Sequence, residues 1–204
     1  MKTSRTVIGR IAIAKVAVGC AAALSLSGCI SFGPKPPKTL LTLVAASTVS
    51  ANTARRAGPG QTVTILYPTA PAAISVPRVP VYDRDGTITY VKGIAWNDTP
   101  SHLFQNLMSE VVASKTGKVV VDVRQYTLDP GSRVSGQLLK FGVDAQAMQA
   151  VVVYDAILMR SGATGIETRR FEARVPVTAV DATVGTALNS AANDVATQVA
   201  GWVG

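Results

Sequence analysis

The sequence predicts an α+β two-layer sandwich, an antiparallel or mixed sheet carrying two amphipathic helices on one face. Three observations predict it. Several segments alternate apolar and polar residues with the two-residue period of a half-buried strand, two segments carry one apolar stripe at helical spacing, and short turns join the last four strands into a meander. The 204 residues, 48% hydrophobic and 16% charged, supply one domain core or two small ones and exclude a mainly disordered chain.

The first segment is a leader. Lys2, Arg5, Arg10 and Lys15 precede an apolar run, Val16 to Leu26, that stops short of the roughly 20 residues a spanning helix needs. A basic region, a short apolar run and then small residues read as a secretory signal peptide over residues 1–28. Its end, Leu26-Ser27-Gly28-Cys29, resembles the bacterial lipobox. That resemblance implies recognition of Leu26, Ser27 and Gly28 by the signal peptidase, and Cys29 as a mature N-terminus bearing a diacylglycerol thioether and an N-acyl chain such as palmitate. Three acyl chains, at about 0.8 kcal/mol per buried methylene, exceed the two signals that stable anchoring needs. Cys20 lies inside the apolar run and leaves with it, so the mature chain has no disulfide, no cysteine metal site and no thiol nucleophile. Residue 30 is Ile rather than the Asp that retains enterobacterial lipoproteins in the inner membrane, which by analogy implies the periplasmic side of the outer membrane.

Residues 29–39 read as a lipidated, Pro-rich tether, because Pro34, Pro36 and Pro37 favour polyproline II. The domain then occupies 40–204. Leu40 to Ala45 is a first strand, and the polar stretch through Gly60 is a loop. Thr62 to Tyr67 alternates Val63, Ile65 and Tyr67 against Thr62 and Thr64, a strand with one buried face. Pro68, Pro71, Pro77 and Pro80 limit the next segment to edge pairing or extended coil. Asp83-Arg84-Asp85-Gly86 is a turn, lacking the later ligands of a calcium loop, and Thr87 to Val91 follows as a strand.

Thr99 as N-cap and Pro100 as first helical residue open a helix whose stripe is Leu103, Phe104, Leu107, Met108, Val111 and Val112, and Gly117 ends it. Strands follow at Lys118 to Arg124 and at Val134 to Val143, the latter with Leu139, Phe141 and Val143 on one side, separated by an Asp129-Pro130-Gly131 turn. Met148 to Met159 is apolar on both faces, as a central strand is. After the Ser161 to Gly165 loop, Phe171, Ala173 and Val175 alternate with Arg170, Glu172 and Arg174 and leave one wet face. A terminal helix opens at Asp181 with Leu188, Ala191, Ala192, Val195, Val199 and Trp202 on its stripe.

The net charge of +8 first suggests nucleic acid. It sits entirely in residues 1–56, where Lys35, Lys38, Arg55 and Arg56 join the leader's four cations and no acid occurs; from residue 57 onward 12 basic and 12 acidic residues balance. The charge therefore points to export and membrane placement, not to nucleic acid. Catalytic signals are missing too. The sequence contains no nucleophile elbow, phosphate loop or dinucleotide fingerprint, and its one histidine, His102, has no second His to share a metal. No catalytic residue, metal site or cofactor beyond the acyl groups is expected. Two features suit partner or lipid contact. Trp96, with Tyr90, either lines an apolar groove or packs as a lid on the core, and Arg169, Arg170 and Arg174 either face an acidic partner or form a solvated sheet face with Glu167 and Glu172.

The order of features carries a family resemblance. A lipobox, a short strand, the Pro-bounded Ile74 to Asp83, Trp96 before an amphipathic helix, a meander containing Phe171 to Val177 and an Ala-rich terminal helix together resemble the auxiliary lipoprotein component of ABC-type transporters. The resemblance implies a non-catalytic periplasmic module that docks onto the MCE-domain protein of a lipid or hydrophobic-solute transporter, with ATP hydrolysis in the permease's ATPase partner. It leaves room for a homo-oligomer. A structural or assembly lipoprotein scaffolding another envelope complex is the alternative.

Overall fold

The computed structural model describes residues 37, 39–122 and 131–204. The signal peptide with Leu26, Ser27 and Gly28, Cys29, nearly all of the tether, Val123, Arg124 and the Asp129-Pro130 turn lie outside the described residues. The domain's strands are β1 (Thr39–Leu41), β2 (Thr62–Ile65), β3 (Pro80–Tyr82), β4 (Ile88–Tyr90), β5 (Ile94–Trp96), β6 (Val119–Val121), β7 (Ser132–Asp144), β8 (Gln149–Met159) and β9 (Glu167–Pro176). Its helices are α1 (Pro100–Thr116) and α2 (Val184–Val203).

The long strands β7, β8 and β9 form the predicted antiparallel meander, with β8 in the middle. On the other side of β7, two short parallel strands lie end to end: β2 pairs with its first residues (Val63↔Ser132, Ile65↔Val134) and β3 with its last (Val81↔Val143). Thr69 bridges to Gln137 between them. β4 pairs antiparallel to β3, and β6 pairs parallel to β2, which makes the sheet mixed. The expected hairpin of β6 with β7 does not form. β2 sits between them, parallel to both, a relation that local turn signals do not reveal.

Alternation places the core. Ala150, Val152, Tyr154, Ala156 and Leu158 of β8 point to one face, where Tyr154 meets Phe104 of α1 edge-on at 5.3 Å between ring centroids. Its register partner Phe171 on β9 meets Trp202 of α2 at 5.5 Å. Both helices therefore lie on the same face of the sheet, and both stripes are buried apart from the half-buried Trp202. In β7 a register shift between Leu138 and Lys140 switches the parity, so Val134, Leu138, Phe141 and Val143 face the core and Leu139 does not, contrary to the expected grouping. Gly136 is required here: a Cβ would lie 2.0 Å from the Asp155 carbonyl oxygen and 2.9 Å from the Tyr154 ring.

The helix ends follow from local chemistry. Thr99 is the N-cap and Pro100 follows it, but the cap's side chain makes no bond within the helix; Asp98 accepts the Thr99 N–H at 2.6 Å instead. Gly117 takes the left-handed conformation that ends α1. α2 begins at Val184, three residues after the expected start, because Asp181 accepts both the N–H (2.8 Å) and the hydroxyl (2.6 Å) of Thr183 in a turn of its own.

The largest departure from expectation concerns residues 39–56. β1 does not join the main sheet but pairs parallel with β5. The chain then runs as an extended strap across the helices, held at each step by a side chain. Asn189 accepts the Val44 N–H (2.7 Å); Asn193 accepts the Ala46 N–H (2.7 Å) and donates to the Val44 carbonyl (2.9 Å). Glu110 of α1 accepts the Val49 N–H at 2.7 Å, Ser47 and Ser114 share a hydrogen bond, and Arg55 donates to the Ala113 carbonyl. Leu41, Leu43 and Ala45 face inward onto the core, and the residues between them face outward.

Candidate docking face

The sheet's second face, away from the helices, carries the even residues of β9 and the odd residues of β8. Its two ends differ. At one end Arg174 reaches from β9 across to Asp144 of β7 (3.3 Å) while bonding Glu172 (2.5 Å), and Tyr82 lies over Gly142. Val151 between them is 1% exposed. Burial raises the Tyr82 pKa, its hydroxyl accepts the Phe141 N–H, and the Lys140 ammonium stands 5.5 Å from its ring centroid.

At the other end the face opens into a trough of about 750 Å³, lined by Thr69, Gln137, Asp155, Ile157, Thr168, Arg169 and Arg170 among others. Ile157 is 37% exposed there. Arg170 grips Asp155 with a two-pronged contact, Nε to Oδ1 at 2.5 Å and Nη2 to Oδ2 at 2.6 Å. Those bonds hold the Asp155 carboxyl below its ordinary pKa and raise that of Arg170. The trough thus combines an internally paired Arg170–Asp155 couple with the half-exposed, apolar Ile157.

The predicted contact residues are distributed differently from expectation. Arg170 and Arg174 share the open face; Arg174 pairs with the interleaved Glu172, whereas Arg170 pairs with Asp155 of β8 and Glu167 pairs with Arg160 instead. Arg169 also borders the trough, but it has the opposite parity on β9, with its guanidinium 5.3 Å from the Phe171 ring centroid. Trp96 is 2% exposed and packs edge-on against Phe141 at 5.4 Å; the burial that makes it a lid removes it from any partner or lipid surface. Tyr90 donates to the Ala73 carbonyl beneath Arg78. His102 is held by Asp98 one helical turn earlier, and among the described residues no cluster of three or more His, Cys, Asp or Glu could hold a metal. None of the described helices is long and apolar enough to cross a membrane.

The sequence model of one family, the ABC-type transport auxiliary lipoprotein component, matches residues 41–200. The chain belongs to that family. The match places this auxiliary lipoprotein in the cell envelope and in association with an ABC transport system. Its fold is also that of solved relatives. A crystal structure of a Xanthomonas campestris protein, described as a DUF330 family member, superposes with a TM-score of 0.63 at 19% identity, covering 80% of this chain and 94% of that one. A crystal structure described only as an uncharacterized protein superposes with a TM-score of 0.61 at 10% identity, covering 74% and 97%. No curated protein sequence matches the chain.

Sequence reasoning missed Asp155, Gln137 and Ile157, which the auxiliary lipoprotein brings to the open face from β8 and β7. Ile157 carried a usable signal, since it has the parity of Asp155 and not that of the core-facing Leu158. Asn193 carried one as well, a polar residue in the middle of an apolar stripe.

Proposed function

We propose that the protein is a non-catalytic accessory lipoprotein of an ABC transporter for lipid or another hydrophobic solute. In this reading acyl chains on Cys29 hold it on the periplasmic side of the outer membrane, and its open sheet face docks the MCE-domain subunit. The observation that carries the reading is the family match over residues 41–200 behind a leader ending in Leu26-Ser27-Gly28-Cys29. ATP hydrolysis belongs to another subunit, as the sequence's lack of a phosphate loop suggests. The trough supports docking rather than catalysis, because its charged pair is already self-satisfied and its exposed centre is apolar.

Membrane fractionation and co-purification test this reading together. The wild type is expected in outer-membrane fractions and to bring down an MCE-domain protein. Cys29→Ala should remain an unprocessed precursor or become soluble, and Ile157→Asp should weaken co-purification while leaving the anchor intact. A Cys29→Ala protein that is processed and stays membrane-bound refutes the anchor, and pull-downs that never recover a transporter subunit refute the partnership.

A further inference from the structure

The strands that end the main sheet are unequal. β4 and β6 are each three residues long, whereas β9 runs for ten, pairs only with β8 and keeps one unbroken register with it. No bulge interrupts β9 and its proline is its last residue, so of the devices that blunt a free edge it has only charge. Parity fixes which backbone groups that edge shows. The Val177 N–H donates to the Met148 carbonyl at 2.9 Å, so the odd residues of this antiparallel ladder bond toward β8. The even ones, Thr168, Arg170, Glu172 and Arg174, turn their N–H and carbonyl groups outward. Gln198 of α2 donates to the Glu172 carbonyl at 3.2 Å, and the other outward groups have no partner among the described residues.

We propose that a second copy of this chain pairs antiparallel along this edge, with the dyad at Phe171, so that one sheet runs through both copies. Arg170 then stands opposite Glu172 of the second copy, and Thr168 opposite its Arg174. The sequence selects this register. Outward groups must meet outward groups, so the copies can slide only in steps that keep even residues opposite even ones. One step one way sets Arg170 opposite Arg170, and one step the other way sets Glu172 opposite Glu172 and Arg170 opposite Arg174; like charges directly opposite are destabilising. A further step lays Arg170 against Pro176, which has no N–H to donate. The ion pairs within each copy leave free the atoms that this register uses. Arg170 bonds Asp155 through Nε and Nη2, and Glu172 bonds Arg174 through Oε1, so Nη1 of Arg170 and Oε2 of Glu172 remain for each other across the dyad. α2, which reaches the edge through Gln198, raises no bulky obstacle: its exposed residues are Thr186, Ser190, Asp194, Thr197, Gln198 and Gly201. Pairing joins the open faces of the two copies into one surface, and it depends neither on what docks there nor on the anchor.

Cysteine pairs test the register on the full-length lipoprotein in its membranes. Arg170→Cys and Glu172→Cys, on differently tagged copies, are co-expressed and mildly oxidised; directly opposite hydrogen-bonded residues stand about 5.5 Å apart at Cα, within disulfide reach. A disulfide joining the two tags is expected for 170 with 172, and for Thr168→Cys with Arg174→Cys. The mismatched mixture of 170 with 174 should stay at the wild-type background, which also reports any free Cys29. Adding Glu172→Arg to both copies sets a cation opposite Arg170 and should reduce the 168–174 disulfide to background while the urea midpoint shows that the copies still fold. All four positions are exposed, so neither pair disturbs the core. Disulfides at background in both matched pairs, or as abundant in the mismatched one, overturn the inference. So does cross-linking to a transporter subunit in place of the second copy, because the edge then takes another protein's strand. These outcomes leave the docking and anchor readings standing, since Ile157→Asp and Cys29→Ala report on those separately.

Discussion

Asn193→Ala tests the attachment of the strap to α2. Asn193 is 7% exposed, and its amide mimics a neighbouring strand, accepting from the Ala46 N–H and donating to the Val44 carbonyl. Its third contact, to the Asn189 carbonyl, matters less because that oxygen lies within the helix's own ladder. Alanine is a better helix former than asparagine by a few tenths of a kcal/mol, so propensity slightly favours the variant. Against that, two strap bonds are lost, each contributing about 0.5–1.5 kcal/mol net, and partial water access to the strap backbone keeps the loss near that range. The expected destabilisation is therefore about 1–3 kcal/mol, a fall in melting temperature of roughly 2–4 °C per kcal/mol for a domain of this size. Urea unfolding followed by far-ultraviolet circular dichroism should show a lower midpoint with an unchanged slope, and amide exchange should quicken at Ala46, whose N–H Asn193 accepts, before the sheet is affected. Asn189→Ala, which loses one bond, should cost less. A midpoint for Asn193→Ala indistinguishable from wild type refutes the claim that this side chain holds the strap.

Gly136→Ala forces a methyl group against the Asp155 carbonyl and should cost about 3 kcal/mol or more, read as loss of soluble folded protein or a collapse of the urea midpoint. Tyr154→Phe should go the other way: the hydroxyl is buried without a hydrogen-bond partner among the described residues, so removing it is expected to leave stability unchanged or raise it by up to about 1 kcal/mol in the same melt. Acid stability follows from Asp98, Asp144, Asp155, Glu167 and Asp181, whose pKa values are all lowered in the fold, chiefly by backbone N–H donors or by Arg160, Arg170 and Thr183. A lowered folded pKa gives stability that is complete above the unfolded value near 4 and is lost as pH falls through the folded one. Urea midpoints should therefore be flat from neutral pH to about 5 and decline below about 4; a decline already under way at pH 6 would contradict this assignment.

What the sequence made legible was local. The Thr99-Pro100 start and Gly117 stop of α1 depend on conformational preferences within a few residues, and the two-sided apolar run of β8 and the alternation of β9 record burial directly. Long-range pairings were less visible. Nothing within Lys118 to Arg124 states that its neighbour is β2 rather than β7, and the shift at Leu139 inverts the parity of a strand that looks regular. The docking face was half visible for the same reason. Alternation puts Arg170 and Arg174 together and sends Arg169 to the other side, whereas the trough's further lining comes from β7 and β8 through pairing. The strap resisted reading because its partners are side chains, not another strand's backbone.

The strap also sets a timetable. Val44 and Ala46 bond to residues 145 and 147 positions further along, on the last helix of the chain. The first segment of the domain to be made is thus among the last to be fully seated, and until α2 exists the strap lacks its Asn189 and Asn193 anchors and Leu41 lacks its contact with Gly185. For that interval the chain carries a partly held aliphatic stretch next to its tether. A nonsense change before residue 184 would make the interval permanent, so loss of the C-terminus should expose the N-terminus to proteases and to aggregation rather than simply shorten the domain.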